Sequence, residues 1–311
     1  MSTRSVPARV TICEVGPRDG LQNESTPVAA ADKIRYIDLL VAAGFRDLEV
    51  TSFVNPAAVP QLADAEAVYA GFSKAPGRRY ICLVPNDRGL DRALAAGVES
   101  IAVFTAASES FAQRNIRMTI DGSLATFAGV VARAKTHGLW VRASVSTAFG
   151  CPFEGTVPVA AVVRIAERLF EIGIDELSIA DTIGVGTPNQ VYAIVDALEG
   201  RVPLDRVGLH FHDTRGTALA NTVAALHAGI AIFDSSAGGL GGCPFAPGAT
   251  GNVATEDLLY LLHGMGVETG VDLTKVRAAT RFVGTILAGR INSRAYHALE
   301  AADSRLAGIA R

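Results

Sequence analysis

Two histidines separated by one residue stand at the end of a predicted strand, in the segment GLHFHD at 208–213. Residues i and i+2 of a strand point to the same face, so His210 and His212 project together. A single histidine here would most often be a hydrogen-bonded core residue, whereas two at this spacing favour a metal site. No paired cysteine stands nearby, so the remaining ligands should be oxygens, with Asp19 and Asn252 as candidates.

A constrained turn, GPRDG at 16–20, follows the first predicted strand. An isolated Arg–Asp pair is usually a surface ion pair in an ordinary turn. Pro17 and the flanking glycines restrict this one, however, and they place Arg18 and Asp19 at a strand end. Both residues are therefore candidates for the same site as the histidines.

A glycine-rich segment, GGLGGCPFAPGATGN at 238–252, contains six glycines in fifteen residues. Each glycine costs backbone entropy on ordering, so packing does not explain them. A phosphate-binding loop would continue with Lys-Ser or Lys-Thr, which this segment lacks. We interpret it as a mobile lid over the site, carrying Cys243 as an acid that approaches when the lid closes.

Other polar residues follow the predicted strands: Glu49, Ser52, Asn86, Asp181 and, after the glycine-rich segment, Glu256. Each is a weak signal alone. The alternative role of Asn86 is that of a helix cap. The alternative role of the three acids, Glu49, Asp181 and Glu256, is to support other site residues through hydrogen bonds.

The elements that must position these residues form a regular series of eight strands and eight amphipathic helices. Several helices end at glycine, as expected for helix C-caps. Eight strand–helix units close a (β/α)8 barrel in about 250 residues, with the chemistry at the carboxyl ends of the strands. An open doubly wound sheet is disfavoured because no G-x-G-x-x-G follows the first strand. The predicted strands are 10–15, 46–51, 79–84, 99–104, 139–146, 175–180, 206–212 and 231–236. The predicted helices lie near 27–43, 59–72, 87–96, 122–137, 157–172, 188–199, 216–228 and 254–265.

The composition agrees with one large globular domain of 311 residues. Hydrophobic residues make up 49% and charged residues 19%, which suits a large core and not disorder. We predict a single domain over 1–311, with the barrel at about 10–268 and a helical extension at about 270–311. The apolar face of that extension, with Phe282, Ile286 and Leu287, could cover the barrel or form the seam of a homodimer.

Charge and cysteine usage narrow the partners and the location. The net charge of −3 gives no bulk attraction to nucleic acid or anionic membranes. The first residues lack an apolar signal region, and the most apolar stretch, 218–233, is too short and polar to span a bilayer. Four isolated cysteines argue against disulfides and a structural zinc site, so we expect a cytoplasmic protein.

Four segments resemble the 3-hydroxy-3-methylglutaryl-CoA lyase family: EVGPRDGLQNE at 14–24, DTIGVGTP at 181–188, HFHDTRGTALANT at 210–222 and the stretch at 234–262. The resemblance runs from about residue 10 to 290. The cysteine-bearing GLGGCPFAPGATGN is the more specific signal, because His-x-His also occurs in related metal-dependent synthases and aldolases.

The resemblance implies a metal-dependent lyase on a (β/α)8 barrel. Mg²⁺ or Mn²⁺ would be held by Asp19, His210, His212 and Asn252. The substrate, an acyl-CoA, would undergo retro-Claisen cleavage to acetoacetate and acetyl-CoA.

The resemblance also assigns catalytic roles. Asp19 or a metal-bound water would remove the hydroxyl proton, Arg18 would stabilise the enolate oxygen, and Cys243 would protonate the enolate carbon. Three acids would position Arg18, water or the ligands: Glu49, Asp181 and Glu256.

One departure bears on the substrate: Ser144 stands where the resemblance predicts a tyrosine in the acyl pocket. Its loss should widen the pocket, so a related 3-hydroxy-3-carboxyl acyl-CoA, such as citramalyl-CoA or a longer branched analogue, is an alternative substrate. A Claisen-type synthase or aldolase is less favoured, since a condensation has no product enolate for Cys243 to protonate. A non-catalytic barrel that binds acyl-CoA or metal is the remaining alternative.

Overall fold

The strands of the computed structural model, which describes residues 5–242, 251–288 and 291–309, close into a parallel barrel. Each strand pairs with its sequence neighbours, and the last pairs with the first. The predicted barrel is confirmed, with every strand within two residues of its predicted bounds. The strands are β1 Thr11–Glu14, β2 Asp47–Ser52, β3 Arg79–Leu83, β4 Ser100–Ala106, β5 Trp140–Ser146, β6 Glu176–Asp181, β7 Val207–Phe211 and β8 Ile232–Ser235.

Helices follow the strands and surround the barrel. The eight predicted helices are present, and two more cover the C-terminal extension. The elements that were not predicted include α4, which precedes the expected fifth helix, and a single π-helical turn at Gly16–Gly20. The helices are α1 Ala30–Ala43, α2 Ala65–Gly71, α3 Asp87–Ala95, α4 Glu109–Ile116, α5 Ile120–Thr136, α6 Val159–Ile172, α7 Pro188–Leu198, α8 Ala218–His227, α9 Thr255–Gly264, α10 Leu273–Ile286 and α11 Arg294–Ile309.

Local sequence signals set the helix ends. Gly44 and Gly173 end α1 and α6 in the left-handed conformation, with φ of 109° and 100°. Asn86 caps α3 by accepting a hydrogen bond from the backbone N–H of Gly89 at 3.0 Å. Asn86 therefore has a structural role as a helix cap, which is one of the two roles predicted for it.

Alternate residues of each strand face the barrel interior. These inward-facing residues are apolar on one side of the barrel and polar on the other. The residues that could do chemistry therefore lie on the β5–β8 side and in the turn that follows β1. Apolar inward positions lie on β1, β3 and β4: Cys13, Ile81, Leu83, Ala102 and Phe104. Polar residues that line the interior cavity lie on β5–β8: Arg142, Ser144, Ser178, His210 and Asp234.

The C-terminal helices cover the outside of the barrel. α10 packs along α1 and buries Val276, Ala279 and Val283. Leu287 is also buried, and the ring of Phe282 lies under the guanidinium of Arg35 at 5.3 Å. The extension thus fulfils the covering role predicted for its apolar face. Across the described part of the chain, no helix is long and apolar enough to cross a bilayer.

Candidate active site

Three side chains from distant parts of the sequence converge at the carboxyl end of the barrel. Asp19 lies in the turn after β1, His210 on β7 and His212 directly after it. Each offers one ligand atom, and these atoms all lie within 4.8 Å of one another. The predicted grouping of the aspartate with the histidine pair is therefore present in the structure.

Asn252 joins this cluster because the chain after the glycine-rich segment returns alongside β7. Its backbone forms an isolated bridge with His212. Its Nδ2 donates to Asp19 Oδ2 and to the Leu240 carbonyl, both at 2.9 Å. Gly241 has φ of +124°, and a Cβ there would lie 2.5 Å from Asn252 Nδ2, so this approach requires glycine.

The electrostatics of the cluster suit a cation. Burial raises the pKa of Asp19, but Arg18, the two histidines and the hydrogen bond from Asn252 together outweigh burial and hold that pKa below its usual value. Burial lowers the pKa of His212 to about 3, which keeps its imidazole neutral. An ionised carboxylate and a neutral imidazole are the forms that bind metal.

Two orphaned atoms test whether a metal fits. Asn252 Oδ1 and His212 Nδ1 are buried and have no hydrogen-bond partner among the described residues. A buried acceptor without a partner is costly unless something binds it. With two oxygen and two nitrogen ligands on offer, Asp19, His210, His212 and Asn252 fit a divalent cation.

His210 is oriented by Asp234 of β8, a residue the sequence analysis missed. His210 Nδ1 lies 3.1 Å from Asp234 Oδ2. Burial lowers the pKa of His210, but this hydrogen bond and the charges of Asp234 and Asp19 together outweigh burial and raise the pKa. The contact fixes the ring and leaves Nε2 for a ligand, as supporting carboxylates do in metal sites.

Asp234 is held in turn by Arg142 of β5, also missed. Arg142 Nη2 donates to Asp234 Oδ1 at 2.6 Å, and Arg142 pairs with Glu176 at 2.9 Å. Ser178 donates to Asp234 Oδ2 at 2.9 Å. The signal that would have found them is a charged residue inside an otherwise buried parallel strand, where unpaired charges are rare.

Arg18 is fixed beside the cluster by two carboxylates. Its Nη1 donates to Asp19 Oδ1 at 2.8 Å and its Nη2 to Glu49 Oε2 at 2.6 Å. Burial works against the charge of Arg18, but both carboxylates outweigh it and raise its pKa. Within the described ranges, its Nε is buried without a hydrogen-bond partner. Arg18 also lines the cavity, where its guanidinium can meet a ligand.

Of the predicted supporting residues, only Glu49 touches Arg18. Ser52 donates to the Leu83 carbonyl at 3.4 Å, within the strands. Asp181 accepts from the N–H groups of Val185 and Gly186 at 2.9 and 2.8 Å and shapes the loop after β6.

Glu256 lies outside the cluster. It accepts hydrogen bonds from the Gly238 N–H at 2.9 Å and from the Thr280 hydroxyl, and so anchors the start of the glycine-rich segment to α10. Asn23 Nδ2 donates to the Gly242 carbonyl at 3.1 Å and holds the next part of that segment. Cys243 and the lid interpretation at 243–250 lie outside the described residues.

The cluster opens into a cavity with about 900 Å³ of empty space, open solvent included. Arg18, Asp19, His210 and His212 lie on its wall. Ser144 lies on the same wall and is the strand partner of Phe104, which also lines the cavity. A small polar side chain thus faces the cavity at the position where the sequence analysis expected a tyrosine.

A closed eight-stranded parallel barrel, with side chains that could hold a metal ion at the carboxyl ends of its strands, places the protein in the class of (β/α)8 barrel proteins with a candidate metal site. Within that class, the chain belongs to the HMGL-like family, whose model matches residues 9–283.

Curated and solved relatives agree with this family. The 3-hydroxy-3-isohexenylglutaryl-CoA/hydroxy-methylglutaryl-CoA lyase of Pseudomonas aeruginosa is 48% identical, over 95% of this chain and 98% of its own. A crystal structure of hydroxymethylglutaryl-CoA lyase from the same organism superposes with a TM-score of 0.93 at 49% identity, covering 95% of this chain and 99% of that one. An Acinetobacter baumannii HMG-CoA lyase in complex with coenzyme A and 3-methylmalate has a TM-score of 0.89 at 38% identity, covering 92% and 94% of the two chains.

Proposed function

We propose that this protein is a carbon–carbon lyase that cleaves 3-hydroxy-3-methylglutaryl-CoA into acetoacetate and acetyl-CoA, with Mg²⁺ or Mn²⁺ as cofactor. The observation that carries the proposal is the oriented Arg18 guanidinium beside the cluster of Asp19, His210 and His212 in one cavity. A retro-Claisen cleavage needs both parts, one at the hydroxyl of the substrate and one at its thioester. Membership of the HMGL-like family supports the same reaction.

The ligand set acts at the C3 hydroxyl of the substrate. Asp19, His210, His212 and Asn252 would hold the cation, which when bound supplies Lewis-acid chemistry that lowers the pKa of an alcohol. Asp19 stays ionised because of Arg18, so its carboxylate is available to accept the hydroxyl proton. Asp234 keeps the His210 ring in place during this step.

Arg18 acts at the thioester. When the C2–C3 bond breaks, its electron pair moves to C2 and the thioester oxygen gains negative charge as an enolate. Arg18 is held by Asp19 and Glu49 before substrate arrives, so its guanidinium needs no reorganisation to meet that charge. A donor oriented in advance toward developing charge is among the largest single contributions to catalysis.

Cys243 is the residue we assign to the last step. Its thiol would give a proton to C2 of the enolate, producing acetyl-CoA, and solvent would reprotonate the thiolate. The assignment rests on the resemblance of the cysteine-bearing segment to the lyases. A condensing synthase would form the C2–C3 bond and would leave no enolate to protonate.

A longer branched 3-hydroxy-3-carboxyl acyl-CoA is the second candidate substrate. Ser144 leaves space in the cavity beside the apolar side formed by Leu83 and Phe104. The relative in P. aeruginosa is named for a substrate with such a branch. Citramalyl-CoA, which is smaller, would leave this apolar side less filled.

A panel of acyl-CoA substrates tests the proposal. We expect equal amounts of acetoacetate and acetyl-CoA from 3-hydroxy-3-methylglutaryl-CoA. Thiol release from acetyl-CoA plus 2-oxo acids, without cleavage, would identify a synthase. Binding of every substrate without turnover would identify a non-catalytic barrel.

Ser144→Tyr separates the two candidate substrates in the same panel. The added ring should lower kcat/KM for a longer-branched analogue by about tenfold or more, the effect of a few displaced methylene contacts in a pocket. Cleavage of the methyl substrate should continue. Equal effects on both substrates would show that Ser144 does not select the branch.

Cellular location and assembly remain predictions. We place the protein in the cytoplasm, in line with the buried free thiols of Cys13, Cys82 and Cys151. A homodimer is the expected assembly if one forms, and sedimentation at several protein concentrations tests it.

A further inference from the structure

Three charged side chains, Glu176, Arg142 and Asp234, form a buried triad inside the barrel. Arg142 extends from β5 to Asp234 on β8, although β6 and β7 lie between these two strands. Glu176 is the first residue of β6 and also lines the opening at the amino end of the barrel. No more than 8% of any of the three side chains is exposed, so the charges must be compensated within the protein.

The guanidinium of Arg142 is held from two sides. Its Nη1 and Nη2 donate to Asp234 Oδ2 and Oδ1 at 3.2 and 2.6 Å. Its Nε lies 2.9 Å from Glu176 Oε1, in an ion pair that lacks the alignment of a hydrogen bond. Without the Glu176 carboxylate, the guanidinium would be held on the Asp234 side alone and could tilt.

Asp234 connects this guanidinium to the metal site. Its Oδ2 accepts a hydrogen bond from Ser178 at 2.9 Å and lies 3.1 Å from His210 Nδ1. The same oxygen also accepts from Arg142, so a tilt of Arg142 would move the carboxylate that orients the His210 ring. Glu176 is thus linked to a candidate metal ligand through two intervening side chains.

Stability does not explain a charged triad at this place. The inward positions on β1, β3 and β4 hold apolar side chains, among them Cys13, Ile81 and Ala102, so the same barrel packs its interior without charges there. Apolar residues that replace a buried ion pair are often neutral or stabilising, because desolvation of the charges offsets their attraction. A role in orienting a neighbouring group is the use that this geometry leaves for the triad.

We propose that Glu176 is a positioning residue for the metal site. It acts through Arg142 and Asp234 on the ring of His210. This inference rests on the cation of the proposed function, but it does not require any substrate to be cleaved. Groups that orient metal ligands in this way typically contribute about 10–100-fold to metal affinity.

Calorimetric titration of metal-free protein with Mn²⁺ tests the proposal. Glu176→Gln keeps the shape of the side chain and removes its charge, and it should raise the Kd for Mn²⁺ by about tenfold or more. The matched control is Asp47→Asn, which removes another buried acid at the amino end of the barrel. Asp47 pairs with Arg79 at 2.7 and 2.8 Å, so its loss leaves Arg142 in place. An unchanged Kd for Glu176→Gln, or an equal rise in the control, would overturn the proposal.

A second background separates positioning from a general effect of charge. His210→Ala removes the ring on which the triad acts. In that background, Glu176→Gln should change the Kd by less than about twofold, because the two residues act along one path. A long-range attraction of the cation by the Glu176 charge would persist without the ring, so an equal rise in both backgrounds would contradict the proposal.

Thermal unfolding checks that each variant is folded at the temperature of the titration. Glu176→Asp serves if Glu176→Gln does not fold, since it keeps the buried charge. Its shorter side chain withdraws the carboxylate from Arg142, so its Kd for Mn²⁺ should also rise. A wild-type Kd in Glu176→Asp as the only folded variant would count against the proposal.

An assay of acetyl-CoA release distinguishes this inference from the proposed function. Cleavage by the wild type together with equal Mn²⁺ affinities of wild type and Glu176→Gln would refute the role of Glu176 alone. Weakened Mn²⁺ binding in the variant of a protein that cleaves no substrate would refute the proposed reaction and retain the role of Glu176.

Discussion

At the scale of single residues, some residues of the site could be predicted from their type and spacing, and others could not. His210, His212, Asp19 and Arg18 were predicted from type and spacing, and the structure brings them together. Asp234 was missed because it lies within a strand, whereas the candidate polar residues were those that follow the predicted strands. Burial and partners decide the role of such a residue, and a sequence shows neither.

Arg18→Gln tests the role assigned to the guanidinium. Loss of one donor aimed at a developing oxyanion should lower kcat by about 10²–10³-fold. Metal binding should persist, because Asp19, His210, His212 and Asn252 remain. Steady-state kinetics with a parallel metal titration measures both quantities. A kcat within a few-fold of wild type would show that Arg18 does not meet the enolate.

Cys243→Ala tests the proton donor. Removing a general acid should reduce turnover by about 10²–10⁴-fold while the cation still binds. Cys151→Ala is the control, since this thiol is buried and accepts a hydrogen bond from Ser108 at 2.9 Å. If both variants lose the same activity, the thiol of Cys243 has no special part in the reaction.

At the scale of elements, periodic strands and helices were predictable and short connecting elements were not. The strands could be read because β-branched runs alternate with long Ala- and Leu-rich runs. α4 spans only eight residues and buries Phe111 and Ala112, which is too little for a clear period. The π-helical turn at Gly16–Gly20 was recognised as constrained, but its geometry depends on contacts from other elements.

Glu14 supplies those contacts from the end of β1. Its Oε1 accepts from the N–H groups of Gly16 and Ala237, both at 2.9 Å, and its Oε2 accepts from the Thr255 hydroxyl at 2.6 Å. One buried carboxyl group thus ties the turn that carries Arg18 and Asp19 to the start of the glycine-rich segment and to α9.

The pH dependence of stability tests this link. Burial raises the pKa of Glu14 to about 8, from 4.5. The folded protein therefore retains a proton that the unfolded chain releases. This contribution to stability is present below about pH 4.5 and is lost as the pH rises toward 8.

Glu14→Gln should remove that loss, since glutamine keeps an acceptor for both N–H groups and does not titrate. Between pH 5 and 8, the unfolding free energy of wild type should fall more steeply than that of the variant, by up to about 1.4 kcal/mol per pH unit. Urea denaturation at a series of pH values measures the difference. Parallel curves would show that Glu14 does not hold the extra proton.

At the scale of the whole molecule, the barrel converts distance along the chain into proximity. Asp19 and Asn252 are 233 residues apart, yet their side chains are hydrogen-bonded at 2.9 Å. Pairing of β1 with β8 closes the barrel and brings these two side chains together. The sequence predicted this closure because it contains eight strand–helix units. The sequence did not show which of the predicted acids face the cavity. Glu256, for example, faces α10, where it accepts a hydrogen bond from the Thr280 hydroxyl.

The central claim is that a divalent cation bound by Asp19, His210, His212 and Asn252 is needed for cleavage. The most direct measurement is acetyl-CoA release from 3-hydroxy-3-methylglutaryl-CoA by protein exhaustively treated with chelator, with its metal content verified. We predict that release stops and returns when Mg²⁺ or Mn²⁺ is added. Undiminished release from the metal-free protein would contradict the account.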